Sequence, residues 1–186
     1  MSGINDALLF LISTLFDLYS IILIVRVLLA YAGANYFDPI TQFVVRSTDF
    51  LVKPLRRFIP NVYRIEISTV LIILAIECLK YFLLSVVTQT NLSLIGIIIV
   101  ALADMLKLIL NTLVYAIILQ VILSWVQPNS PVNFILNKIT APIMRPIQRV
   151  CPAVGGFDIS PIPAIILLQL LVILIANPLM QFGLGA

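Results

Sequence analysis

The sequence predicts an all-α membrane protein built from two parallel repeats, and three observations carry that prediction. Of its 186 residues, 62% are apolar and only 10% are charged, with a mean hydropathy of +1.17; soluble domains are about half apolar and about a quarter charged. The apolar residues fall into four blocks, 7–31, 67–87, 94–126 and 162–180, each long enough to cross a hydrocarbon core, which takes about 20 helical residues. Finally, "KPLRRFIPNVYRIEIS" from Lys53 is echoed by "RPIQRVCPAVGGFDIS" from Arg145. Lys53, Pro54, Arg57, Pro60, Glu66 and Ser68 align without a gap on Arg145, Pro146, Arg149, Pro152, Asp158 and Ser160.

The repeat runs further. From position 38 to 70, eight of thirty-three aligned pairs are identical, and upstream "RVLLAY" (26–31) matches "QVILSW" (120–125). Each half therefore reads as span, basic connector, span. The first repeat covers 1–88 and the second 93–186, joined by "TQTNLS" (88–93) into a single integrated membrane domain. Two spans per half make both halves enter and leave on the same faces, so the repeats are parallel, related by an axis along the membrane normal.

Taken in order, the first span opens without a basic region or a small-residue cleavage site, which suits an uncleaved signal anchor. It ends at Tyr31, and the third span ends at Trp125, matching positions for interfacial aromatic anchors. The connectors hold Arg46, Lys53, Arg56, Arg57 and Arg64 in one case and Lys138, Arg145 and Arg149 in the other, eight of the eleven basic residues. By the positive-inside rule they are cytoplasmic, and both termini lie outside the cytoplasm.

Asp38-Pro39 and Ser130-Pro131 place a capping side chain before a proline suited to a first helical turn. Ile40, Phe43, Val44 and Leu51 then recur at helical spacing, with Gln42, Arg46, Asp49 and Lys53 on another face. Such amphipathic helices lie in the headgroup plane, basic face toward anionic lipid headgroups. Pro54 and Pro146 are expected to break them and start a second short turn, closed by Pro60 and Pro152. The third span, Leu94–Val126, is over-long: as helix it measures about 50 Å against a core of about 30 Å. Either 92–103 is re-entrant, with Asp104 and Lys107 near the outer interface, or the helix is simply long and tilted.

The chain has no histidine, which removes histidine-based catalysis, zinc and haem ligation. No nucleotide loop, nucleophile elbow or metal-ligand spacing is present, and Cys78 and Cys151 form no paired framework. The net charge is only +3, with the basic stripe at a membrane surface, so nucleic acid is not an expected partner. No enzymatic activity and no cofactor are expected.

Intramembrane polar residues are the sharper signal, because a charge at a helix centre costs about 2.5–3.5 kcal/mol on insertion scales. Asp17, Arg26, Glu77 and Lys80 have repeat counterparts Asn111, Gln120, Gln169 and Val172. Such groups serve either an ion or proton path or interhelical bonding, and amides in the second half favour bonding, since a relay needs titratable groups. Counting residues from the connectors places Arg26 and Glu77 about 7 and about 13 Å deep, a gap an arginine can bridge. The expected pairs are thus Arg26 with Glu77 and Gln120 with Gln169, with Lys80 a rival partner for Glu77.

Paired spans flanking "P-x-R-R-x-x-P" and "RP…P-x-x-GG-x-D-x-SP", twice in under 200 residues, resemble the bacterial YggT family (YlmG in some lineages). The resemblance covers essentially the whole chain. It departs at Gln148, where the second repeat usually carries its first arginine, and at Tyr63-Arg64, where the second repeat has Gly155-Gly156. What it implies is an inner-membrane protein associated with osmotic stress, potassium or sodium homeostasis and cell division and, in plastid relatives, with haem attachment. Two classes of function follow: a non-catalytic scaffold or assembly factor serving a membrane-protein client or a homo-oligomer, or a potassium, sodium or proton transport component.

Overall fold

The computed structural model describes residues 2–34, 38–57, 59, 66–90, 92–151 and 158–185. Among these residues all regular structure is helical. In chain order the helices are α1 (Ser2–Ala32), α2 (Pro39–Arg56), α3 (Ile67–Thr88), α4 (Leu94–Val126), α5 (Pro131–Val150), α6 (Pro161–Leu171) and α7 (Asn177–Leu184), the last two joined by a π-helical turn, Val172–Ala176. Four continuous helices, Gly3–Ala32, Ile67–Thr88, Leu94–Val126 and Pro161–Leu184, are long and apolar enough to cross a membrane.

Local chemistry sets the helix ends. Gly33, at φ +62, closes α1 in the left-handed conformation that costs glycine nothing. The Ser93 hydroxyl caps α4 by accepting from the Gly96 N–H at 3.0 Å, and Ser130 caps α5 by accepting from Asn133 N–H at 3.2 Å. Asp38 sits at the equivalent position of α2 but makes no side-chain cap bond. In the fourth span, Pro178 lacks an N–H and would crowd the preceding turn; there Asn177 N–H reaches back five residues to the Val172 carbonyl, and the wider π turn absorbs the misfit.

One open alternative is decided here and one expectation is corrected. Of the two readings of the third span, the long helix holds: residues 94–103 begin α4, one unbroken helix of 33 residues. The surplus length is used in packing, because Gly96, Ile97, Val100, Ala101 and Ala103 are buried and α7 lies close against this stretch. A Cβ at Gly183 would come within 2.7 Å of Val100 Cγ2 and 2.9 Å of Val100 N, so only glycine permits that approach. The connector helices are likewise not broken by Pro54 or Pro146; α2 runs through the first, and α5 through both Pro142 and Pro146. Each proline removes a single backbone bond, while the buried stripes Thr41, Val44, Thr48, Val52 and Ile135, Leu136, Ile139, Met144 hold the helices onto the bundle. The closing Pro60 and Pro152, and Arg64, lie outside the described residues.

The core has two parts. Leu23 and Ile24 of α1 pack with Val52 of α2 and Ile72 and Ile73 of α3. The larger cluster joins Leu29, Val44, Leu113, Ile117, Ile139 and Leu168, drawing on both halves. Helix α4 is the common wall: it packs against α1, α3, α5, α6 and α7.

Candidate functional site

The most concentrated chemistry lies where α1, α3 and α4 meet. Lys80 is 2% exposed and Glu77 fully buried. The Lys80 ammonium lies 2.6 Å from Asp17 Oδ1, 2.5 Å from Glu77 Oε2, and in direct contact with Asp104 Oδ2. Ser20 Oγ donates to Glu77 Oε1 at 2.6 Å, and Tyr81 Oη donates to Asp104 Oδ2 at 2.9 Å. Three helices thus contribute one carboxylate each to a single cation. Carboxylate oxygens of Asp17, Glu77 and Asp104 lie within 4.8 Å of one another, a spacing that could hold a metal ion, but the position among them is taken by the protein's own ammonium.

A second cluster ties α1 to the connector. Arg26, 4% exposed, donates through Nε to Glu66 Oε2 at 2.9 Å. Its Nη1 donates to Thr48 Oγ1 at 2.8 Å and Asp49 Oδ1 at 2.9 Å. Lys53 Nζ adds a contact of 2.8 Å to the other oxygen of Asp49, and Arg56 approaches Glu66 at 3.7 Å. Burial pushes the Asp49 carboxyl upward, but bonds from Lys53 and Arg26 outweigh it and hold the group below its usual range.

The second half repeats this geometry with neutral groups. Gln120, the counterpart of Arg26, accepts from Thr140 Oγ1 at 2.5 Å, and Thr140 is the counterpart of Thr48. Gln120 Nε2 also donates to Asn137 at 2.6 Å. Gln169 Nε2 reaches Asn111 Oδ1 at 3.4 Å, mirroring the Glu77 and Asp17 positions.

The expected pairs are therefore corrected. Arg26 bonds Glu66 and Asp49 rather than Glu77, because its long side chain turns toward the connector, where those acids sit. Glu77 pairs with Lys80, the rival partner, one turn along its own helix. Gln120 and Gln169 do not pair; each bonds another polar side chain of its own half. Asp104 pairs with Lys80 of α3 rather than with Lys107 one turn along its own helix; it is 7% exposed and belongs to the Lys80 cluster. Its role was recoverable from counting: Lys80 precedes the end of α3 by eight residues and Asp104 follows the start of α4 by ten, depths of about 12 and about 15 Å across one short turn. Glu66 was recoverable too, since its counterpart Asp158 is also acidic. The basic residues Arg46, Lys53, Arg56, Arg57, Lys138, Arg145 and Arg149 are all exposed.

Fold and site together define a polytopic helical membrane protein with duplicated halves and internally paired buried charges. The family model described as CCB3/YggT matches residues 5–87 and 99–179, and the chain belongs to that family. It is 34% identical over 179 residues to the uncharacterized protein YggT of Escherichia coli K12, covering 96% of this chain and 94% of the relative. A Vibrio alginolyticus protein named for the proC 3′ region is 36% identical over 163 residues, covering 86% of this chain and 88% of the relative. An uncharacterized Haemophilus influenzae protein is 32% identical over 164 residues, covering 86% of each. No solved structure matches.

Proposed function

We propose that the chain is a non-catalytic support or assembly protein of the bacterial inner membrane, with its connectors cytoplasmic and both termini outside the cytoplasm. One observation carries this reading: the buried cations are consumed internally, Lys80 by three carboxylates and Arg26 by two. Groups so committed join helices; they do not offer a vacant step in a relay. The outward chemistry lies instead on α2 and α5. Phe43 and Phe50 are 65% and 70% exposed, one heptad apart on α2, beside the exposed Arg46, Lys53 and Arg57. That combination suits insertion of rings below anionic headgroups with the cations above. The client is a membrane protein or a second copy of this chain, in osmotic-stress, ion-homeostasis or envelope and division processes.

Transport of potassium, sodium or protons is the second reading, favoured by the excess of three carboxylates over one ammonium in the Lys80 cluster. Reconstitution into liposomes separates the two. The support reading expects potassium and sodium flux no greater than in empty vesicles, together with a graded, roughly additive loss of function in cells as Arg56, Arg57 and Arg149 are changed to Gln. Saturable flux abolished by Glu77→Gln would put transport first. Labelling of Cys151 by a membrane-impermeant thiol reagent in intact cells would overturn the orientation.

A further inference from the structure

Among the described residues the two halves carry clefts that share four aligned lining positions, nearly filled in the first half and open in the second. In the first half, Arg26, Leu29, Ala30, Ala34, Thr41, Val45 and Glu66 line a void of only about 10 Å³. In the second, Gln120, Val121, Ser124, Trp125, Asn137, Gln148, Asp158 and Pro161 line a cleft of about 500 Å³, within the size range of ligand sites. The repeat alignment superposes the important members: Gln120 on Arg26, Ser124 on Ala30, Asn137 on Val45, Asp158 on Glu66 and Gln148 on Arg56. In the first cleft the carboxylate of Glu66 meets two guanidinium groups. Around Asp158 both arginines have become glutamines, yet the acid is kept.

Asp158 is held by neutral donors: Ser160 Oγ at 2.5 Å and Ser160 N–H at 2.9 Å on one oxygen, Gln148 Nε2 at 3.0 Å on the other. Burial pushes its carboxyl upward, but these bonds outweigh burial and hold it below the usual range, so it carries its charge. Among the described residues it has no ion-pair partner. Apolar surface comes from Trp125, whose indole face attracts cations, and additional acceptors come from Ser124 and the side-chain oxygens of Gln120 and Asn137.

We propose that this second cleft binds an organic cation bearing N–H donors, an ammonium or guanidinium group, in the place that the protein's own Arg26 fills in the first half. An aminophospholipid headgroup and a small soluble amine share this chemistry, and the position beside Trp125, at the connector end of α4, is open to either.

Trp125 is the chain's single tryptophan, so its emission reports on this cleft without interference. The full chain in phosphatidylcholine–phosphatidylglycerol nanodiscs, whose headgroups offer no N–H donor, is titrated with ethylammonium or methylguanidinium chloride, with potassium chloride as the ionic-strength control. A saturable emission shift is expected with the organic cations and not with potassium. Asp158→Asn should weaken binding at least ten-fold, and Gln120→Arg, which rebuilds the closed cleft, should abolish the shift. Replacing phosphatidylcholine by phosphatidylethanolamine then identifies the source: a shift present before titration, with weaker binding of the soluble probes, marks the lipid headgroup, and unchanged titrations mark a soluble amine. Helix content by dichroism confirms folding of both variants, either of which suffices for the test. No saturable shift in any disc, or equal affinity in the folded variants, overturns the proposal.

Discussion

Equivalent positions in the two halves do the same joining with different chemistry. Asp17 and Glu77 link α1 to α3 through the Lys80 ammonium, whereas Asn111 and Gln169 link α4 to α6 by one amide bond of 3.4 Å. Arg26 ties α1 to Thr48, Asp49 and Glu66, whereas Gln120 ties α4 to Thr140 and Asn137. The fold thus requires a polar join at these points and not a particular charge. What charge adds is interdependence: each ionic member of the first half is tolerable only while its partners are present, and each amide of the second half is nearly self-sufficient.

The largest effect should come from Lys80→Met. It strands three carboxylates at a helix junction, and breaking a buried ion pair on one side costs about 3–5 kcal/mol. Denaturation of the detergent-solubilised protein measures the loss, and a variant as stable as the parent would end the view of the cluster as a clamp. Arg26→Gln, which copies Gln120 into the first half, should cost about 3 kcal/mol because Glu66 and Asp49 lose their shared partner. Changing Arg26→Gln, Asp49→Ala and Glu66→Gln together should recover much of that cost, since the acids that needed the arginine are then gone. If the triple variant is as damaged as the sum of the single changes, the halves are not interchangeable.

Packing supplies a test free of charge effects. Gly183→Ala forces a Cβ against the Val100 backbone nitrogen, which cannot swing aside, and overpacking of this kind costs about 1–3 kcal/mol. Acid should separate the halves next. The Asp49 carboxyl is held below its usual 3.8, so its contribution is complete above that value and is lost as pH falls through the lower, folded value. Stability of the parent should therefore fall in acid more steeply than that of Arg26→Gln, in which much of Asp49's advantage is already absent; parallel acid profiles would detach Asp49 from Arg26. The smallest effect belongs to Gln169→Leu, about 0.6 kcal/mol, the average for hydrogen bonds between membrane helices. A loss equal to that of Lys80→Met would erase the proposed contrast between charge and amide.

Much was legible in the residues alone. Hydropathy located the four spans, because hydrocarbon admits only long apolar helices, and the doubled connector exposed the repeats and their parallel sense. The same alignment singled out Asp17, Arg26, Glu77, Lys80 and their counterparts Asn111, Gln120, Gln169 and Val172 as positions of interest. Their partners were decided only in three dimensions. Counting residues fixes depth along a helix, which is one coordinate; contact also depends on the rotation of each helix and on where a long side chain turns. Glu77 lay at a plausible depth for Arg26, yet the guanidinium turned toward Glu66 and Asp49. Counting puts Asp104 at nearly the depth of Lys80, but only the packing of α4 against α3 turns it to face the ammonium. The closing of one cleft and the opening of its twin were equally invisible in the chain, because a void is the joint property of three helices and no one segment records it.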